Sequence, residues 1–350
     1  MRSKILLCIL LSIAVFACKR DSIEELGSGI RTTPFDLHAP HYFPLLEVPA
    51  DNPLTVEGIQ LGRYLYYDTL LSTNGPFAGR SCSSGHFQSN SFSVPTPGVA
   101  VLPHVNLAWS RNFLWTGKVS GTLEDVMRFE VEEFFEVDVN VLQSSPDYRA
   151  RFLAAYGQEI ITQELVAKAL AQWFRRMVSS NSKFDRYLSY TETLTSEELN
   201  GMSIFLSETG DCFHCHGIPL MSDNNFHNIG LEDEFIDADQ GRFLITGDPA
   251  DLGAFKAPTL RNIALTGPYM HDGRFATLEE VVEHYNSGVH PSPSLDPLMT
   301  KPGQLTVLQL TNVQKADLVS FLHTLTDDDF VSDTDLALSL IHISEPTRPY

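Results

Sequence analysis

Apolar residues along this chain recur mostly at three- and four-residue spacing, the period of a helix with one buried face, while the alternation of a half-buried strand is scarce. Behind Thr162, a residue able to cap a helix, Val166, Leu170, Phe174 and Met177 fall on one apolar face. Residues 55–68 give a shorter helical pattern, and Thr195 with Glu198 and Thr277 with Glu280 have the spacing of capping boxes that open two more helices. The expected class is mainly α, with long loops carrying the chemistry. Residues 19–50 hold Pro34, Pro40, Pro44 and Pro49 without a sustained period and read as a linker followed by irregular chain.

One apolar run has a different meaning. Arg2 and Lys4 precede residues 5–16, which are too short to span a bilayer, and Ala17-Cys18 follows. That is the pattern of an export signal, 1–17, and Cys18 in that place resembles the lipidated first residue of mature bacterial lipoproteins. An exported lipoprotein is expected, in the periplasm, tethered over 18–50 and attached to the membrane through its lipid alone. Lys19 at the next position favours the outer membrane. No later apolar run is long enough to cross a membrane. At the other end, 338–350 resembles a translated sequencing-library adapter and is set aside as non-native. The 350 residues carry a net charge of −20, and removing Arg2 and Lys4 makes the remainder two units more negative. Such acidity argues against nucleic acid as a partner and favours basic ones on encounter.

The chemistry concentrates in Cys212-Phe213-His214-Cys215-His216. Paired cysteines alone fit a zinc site or a redox dithiol. Zinc, however, usually needs a second ligand pair, and a dithiol has no use for His216. Cys-x-x-Cys-His is the attachment motif of c-type haem: two thioethers to the vinyl groups and an axial imidazole. An earlier segment, Ser81-Cys82-Ser83-Ser84-Gly85-His86, keeps the first cysteine and the histidine but has Gly85 where the second thiol belongs. With Cys8 in the leader and Cys18 as the lipid site, the other three of the five cysteines go to haem, and no disulfide is expected.

The paired motifs, the 61–68 stretch Leu-Gly-Arg-Tyr-Leu-Tyr-Tyr-Asp and the long run 255–274 resemble the bacterial di-haem cytochrome c peroxidase family, including its MauG-like branch. The resemblance covers about 54–330 and is most specific in the second half. It implies two cytochrome-c-like domains: 51–190 with the peroxidatic haem and 191–337 with the electron-transfer haem. It implies two haem c groups, hydrogen peroxide as oxidant, and electrons from a small cytochrome c or cupredoxin or, as in MauG, from an aromatic residue of a protein substrate. His86 and His216 are then iron ligands. Tyr285 stands where the peroxidases have an axial methionine, and a hard phenolate donor favours ferric and higher states. Trp115 matches a tryptophan between the haems, and counting onward places the distal glutamate at Glu136, in an acidic cluster that also reads as a solvated face. His271 is expected to contact a propionate or the pocket. Thr266 and Pro268 match carbonyl contributors to a calcium site, which is weakened by Ala100 in place of an asparagine. Val126 and Glu130 stand where a glutamine and a proline are usual. Gly85 leaves three readings open: a haem held by Cys82 alone, an empty first site in a non-enzymatic single-haem electron carrier, or an error in the sequence.

Overall fold

A computed structural model describes residues 31–338 except 302, 303 and 306. The leader, Cys18, the start of the 18–50 linker and the tail from 339 lie outside the described residues. The chain is mainly helical, as expected, and its strands are three two-residue hairpins among the described residues.

The first half contains α1 (Val56–Tyr67), α2 (Leu123–Phe129), α3 (Val139–Ser144), α4 (Pro146–Tyr156) and α5 (Gln163–Arg176). Thr162 caps α5 through a hydrogen bond from the Leu165 amide, and Val166, Leu170, Phe174 and Met177 are each at most 3 % exposed. That stripe packs on α1, where Gly62 lets the backbones meet: a Cβ there would collide with the Ala169 carbonyl and Trp173 Cβ. The second half contains α6 (Lys183–Leu188), α7 (Ser196–Phe205), α8 (Phe243–Thr246), α9 (Leu278–Glu283) and α10 (Asn312–His323), followed by α11 (Asp328–Ser332). The Thr195–Glu198 and Thr277–Glu280 capping boxes open α7 and α9. Here α7 crosses α10 at Gly201, whose added Cβ would meet the Asp317 carbonyl and Phe321 Cβ.

Two buried apolar clusters divide the chain. One runs from Leu54 to Met177 and includes Phe330 and Leu336, while the other runs from Phe184 to Leu325. The core thus changes hands between 177 and 184, several residues before 190, and the segment from α11 onward returns to the first half.

The halves repeat one backbone plan. Asn106 and Asn262 are both left-handed (φ 54° and 61°), and each opens a 3-10 turn. Leu114 and Met270, then Gly117 and Gly273, also have positive φ in matching order. Capping boxes at Thr122 and Thr277 open α2 and α9, and each helix runs directly into a π-turn, Glu130–Phe134 in one half and His284–Gly288 in the other.

Candidate haem-binding sites

Each half holds a largely apolar cavity with a Cys-x-x-x-His segment on its wall. Cys212–His214 and Cys82–Ser84 each form a 3-10 turn that brings cysteine and histidine to the same cavity. The ring orientation is fixed in the same way in both. His216 Nδ1 lies 3.2 Å from the Met221 carbonyl and His86 Nδ1 2.7 Å from the Phe92 carbonyl, and Met221 and Phe92 share a left-handed conformation (φ 56° and 57°). An imidazole whose Nδ1–H donates to a carbonyl keeps Nε2 as the free lone pair, the tautomer an axial ligand requires. Burial lowers the pKa of each histidine to about 4, outweighing the opposing bond to the carbonyl, so both rings stay neutral.

Cys212 and Cys215 line the second cavity, and all three thiols in the two motifs are free of disulfides. Burial pushes the Cys212 thiol up to about 12 and raises Cys82 as well, with the nearby Glu130 adding to the latter. In the first cavity Gly85 has φ −127°, a conformation open to any residue, and a Cβ there would meet nothing within 4 Å. The wall that would carry the second thioether is present without its sulfur.

Tyr285 stands in the π-turn after α9 and lines the cavity of His216; burial, followed by the Cys215 and Cys212 thiols, raises its phenol pKa. Trp115 lines both cavities, with its Nε1 donating to the Ala100 carbonyl at 3.0 Å. His271 lines the second cavity, stacked on Phe255 with ring centroids 3.6 Å apart and Nε2 3.0 Å from Asp239, and its buried Nδ1 has no hydrogen-bond partner among the described residues. Thr266 and Pro268 lie on the same wall. Ala100 supplies no side-chain oxygen and its carbonyl already accepts the indole, so these residues alone do not complete a calcium site.

Glu136 is placed apart from this group. It is exposed, with φ 48°, its carboxylate lies against Gly75, and it does not line the first cavity. The carboxylate that does line it is Glu130, partly buried in the π-turn after α2. His227 is clamped between Asp296 (2.7 Å) and Asp223 (2.9 Å), and His284 bonds the Ile229 carbonyl (3.0 Å), so both are occupied structurally.

Two further residues belong to the sites. His104 stacks on His86 at 3.5 Å and bonds Tyr66 at 3.2 Å, although no spacing in the sequence marks it. Lys256 lines both cavities and is 6 % exposed, and among the described residues its ammonium makes one hydrogen bond, a long one of 3.4 Å to the Ala257 carbonyl. Burial lowers its pKa to about 8 against the pull of Asp223. A buried ammonium without a close anionic partner is costly unless a ligand brings the counter-charge. Its place between Phe255 and Ala257 was the available sequence signal. Apolar walls, neutral histidines with a free Nε2, thiols beside them, a shared buried cation and an unpartnered His271 nitrogen all suit haem c, whose propionates are the missing anions.

The family model for di-haem cytochrome c peroxidase matches residues 56–193. The methylamine utilization protein MauG of Methylophilus methylotrophus is 32% identical over 297 residues, covering 80% of this chain and 85% of that protein. The cytochrome c551 peroxidase of Nitrosomonas europaea is 31% identical over 262 residues, covering 69% and 76%. Among solved structures, a MauG-like protein associated with microbial copper homeostasis aligns with a TM-score of 0.77 and 32% identity over 87% of this chain and 99% of that one. The paired cavities and these likenesses lead to one assignment: the chain belongs to the MauG-like di-haem cytochrome c peroxidase family, whose members are oxidoreductases.

Proposed function

We propose that this chain reduces hydrogen peroxide at a first haem held by Cys82 and His86, and that a second haem, held by Cys212, Cys215, His216 and Tyr285, relays or stores the oxidising equivalents. The observation that carries the reading is the shared wall: Trp115 and Lys256 border both cavities, so two cofactors would lie on either side of one indole and one ammonium. When bound, the haems supply the redox-active iron and the electrons that take peroxide to water. The protein's part is positional. The Phe92 and Met221 carbonyls hold the two imidazoles with Nε2 free, Lys256 and His271 offer charge and hydrogen bonds to propionates, and the apolar walls exclude water.

The first haem is held by a single thioether from Cys82, because iron–His86 ligation and the pocket do not depend on a thiol at 85. Tyr285, a phenol in a buried setting, gives up its proton only to a strong cation such as ferric iron, and as an anionic donor it keeps the second site oxidised. That preference, with the MauG relatives, favours an aromatic residue of a protein substrate as the electron source over a small cytochrome c or cupredoxin. The pattern of an export signal before Cys18, with Lys19 after it, supports the reading of a lipid-anchored protein outside the cytoplasm, at the outer membrane.

Counting haems separates this from a single-haem electron carrier. A pyridine haemochrome assay with intact mass is expected to give two covalent haems per chain, and hydrogen peroxide to change the spectra of both. One haem per chain would sink the di-haem mechanism, and two haems indifferent to peroxide would sink the peroxidase reading.

A further inference from the structure

The first cavity has an indole of its own. Trp109 lines that cavity and not the second, whereas Trp115 borders both. The repeat between the halves gives its place: Asn106 opens the turn Leu107–Trp109 as Asn262 opens Ile263–Leu265. Leu265 therefore stands where the first half has Trp109, and it lines neither haem cavity. Trp109 is also partly exposed, so one ring connects the cavity wall with the surface. The segment before α1 holds it there. Nε1–H of Trp109 donates to the Pro44 carbonyl at 2.8 Å, and Phe43 meets the indole edge to face with ring centroids 5.2 Å apart. Tyr42 packs on Phe43 at 5.5 Å and donates its hydroxyl to Asp185 at 3.0 Å, which pins the segment to α6.

Resting on the di-haem reading above, we propose that Trp109 is an electron-entry residue of the first haem site, through which small phenolic donors feed that site from the surface without using Trp115 or the second haem. The indole gives one electron to the peroxide-oxidised first haem and becomes a radical cation that keeps its Nε1 proton. A phenol at the exposed edge of Trp109 returns the electron and releases its own proton to solvent. Two such passes supply the two electrons that take one peroxide to water; hydroquinone, giving both, leaves as benzoquinone with its two protons released. The surroundings suit a positive ring. The Pro44 carbonyl accepts from the N–H, a bond that strengthens when its donor becomes charged. Arg261, over the Phe43 ring at 4.8 Å, is neutralised by Asp185 at 2.8 and 2.9 Å, and the net charge of −20 favours a cation. Phe43, Pro44 and Tyr42 are positioning residues, and the aliphatic Leu265 has no such part in the second half.

The test adds excess hydrogen peroxide, without a donor, to the full-length di-haem protein and maps its three tryptophans by peptide mass spectrometry. An indole left oxidised with nothing to refill it takes up oxygen, so Trp109 is expected to gain oxygen atoms. Hydroquinone should prevent the gain by refilling the ring, and cyanide by blocking peroxide at the iron. Trp173, buried and outside both cavities, is the unmodified control. In Trp109→Phe with both haems loaded, the peroxide-driven oxidation of hydroquinone is expected to be lost, and Trp109→Tyr, again an oxidisable ring, should restore part of it. An unmodified Trp109 in a protein whose two haems respond to peroxide overturns the proposal and leaves the di-haem reading intact. Modification that persists under cyanide also overturns it, because peroxide would then reach the indole from solvent, as does hydroquinone oxidation that survives in Trp109→Phe. Should the variants fail to load haem, the wild-type map with and without cyanide decides. One haem per chain, or two haems indifferent to peroxide, overturns this proposal and the di-haem reading together.

Discussion

At the scale of single residues, Gly85 is where the chain departs most from a double thioether site. The missing thiol leaves space behind it, since nothing lies within 4 Å of a Cβ built there and the backbone is not left-handed. Gly85→Cys should therefore fold and acquire a second thioether. The expected sign is a shift of the first haem's α-band in the pyridine haemochrome spectrum until it coincides with that of the second. An unshifted band in a protein shown by mass to carry the new cysteine would mean that the vinyl group does not reach this wall. Much of the site was legible because its chemistry is local: a Cys-x-x-Cys-His run needs no tertiary information to be read. Glu136 against Glu130 is the opposite case, since five acidic residues between 130 and 138 look alike in sequence. Only the folded chain distinguishes them: Glu130 opens the π-turn and lines the cavity, whereas Glu136 lies beyond the turn, exposed and left-handed.

At the scale of elements, the two halves use the same device, a pair of helices crossing at glycine, α1 with α5 and α7 with α10. Gly201 in α7 meets the backbone of Asp317 and Cβ of Phe321 in α10, neither of which is the yielding end of a flexible side chain. Gly201→Ala should thus cost about 1–3 kcal/mol by forcing the helices apart, more than any gain in helix propensity returns. Urea unfolding of the haem-loaded protein would show it as a lower midpoint with an unchanged slope, and a stabilised variant would refute the close crossing. The α5 stripe and three helix starts were readable because amphipathic period and capping chemistry are encoded within a few residues. The start of α10 carried the same signal, Thr311 with Gln314, which closes a capping box. The two-residue hairpins and both π-turns had none, since each depends on what packs against it and not on its own composition.

At the scale of the molecule, the halves are joined by buried polar groups around the connector near Ser179, a feature with no counterpart in sequence pattern because its members come from distant segments. Asn106 and Asn262, the matching left-handed residues of the two halves, both bond Ser179, the first through its backbone (2.9 Å in each direction) and the second through its hydroxyl (3.1 Å). Asp327 closes the group: one carboxylate oxygen accepts from Ser179 Oγ (3.1 Å) and the amides of Ser180 (2.8 Å) and Asn181 (2.9 Å), while the Asp327 amide donates to Asn262 (2.7 Å). From there α11 carries the chain back to the first half, where Arg176 pairs with Asp333 at 3.0 Å and Phe330 and Leu336 enter the core. Asp327→Ala would leave four donors without their acceptor, two of them connector amides and one the Phe330 amide that Asp327 caps at the start of α11, at a cost on the order of 3 kcal/mol. Because those donors belong to the link between the halves, the loss should fall on their coupling more than on either core. Thermal unfolding, followed at the Soret bands and in the far ultraviolet, is expected to be one coincident transition in the wild type and two separated ones in Asp327→Ala. Asp327→Asn keeps one acceptor oxygen and should bring the transitions partly together again. A variant that still unfolds in one step, with its midpoint close to that of the wild type, would show that the halves are held together by something other than this carboxylate.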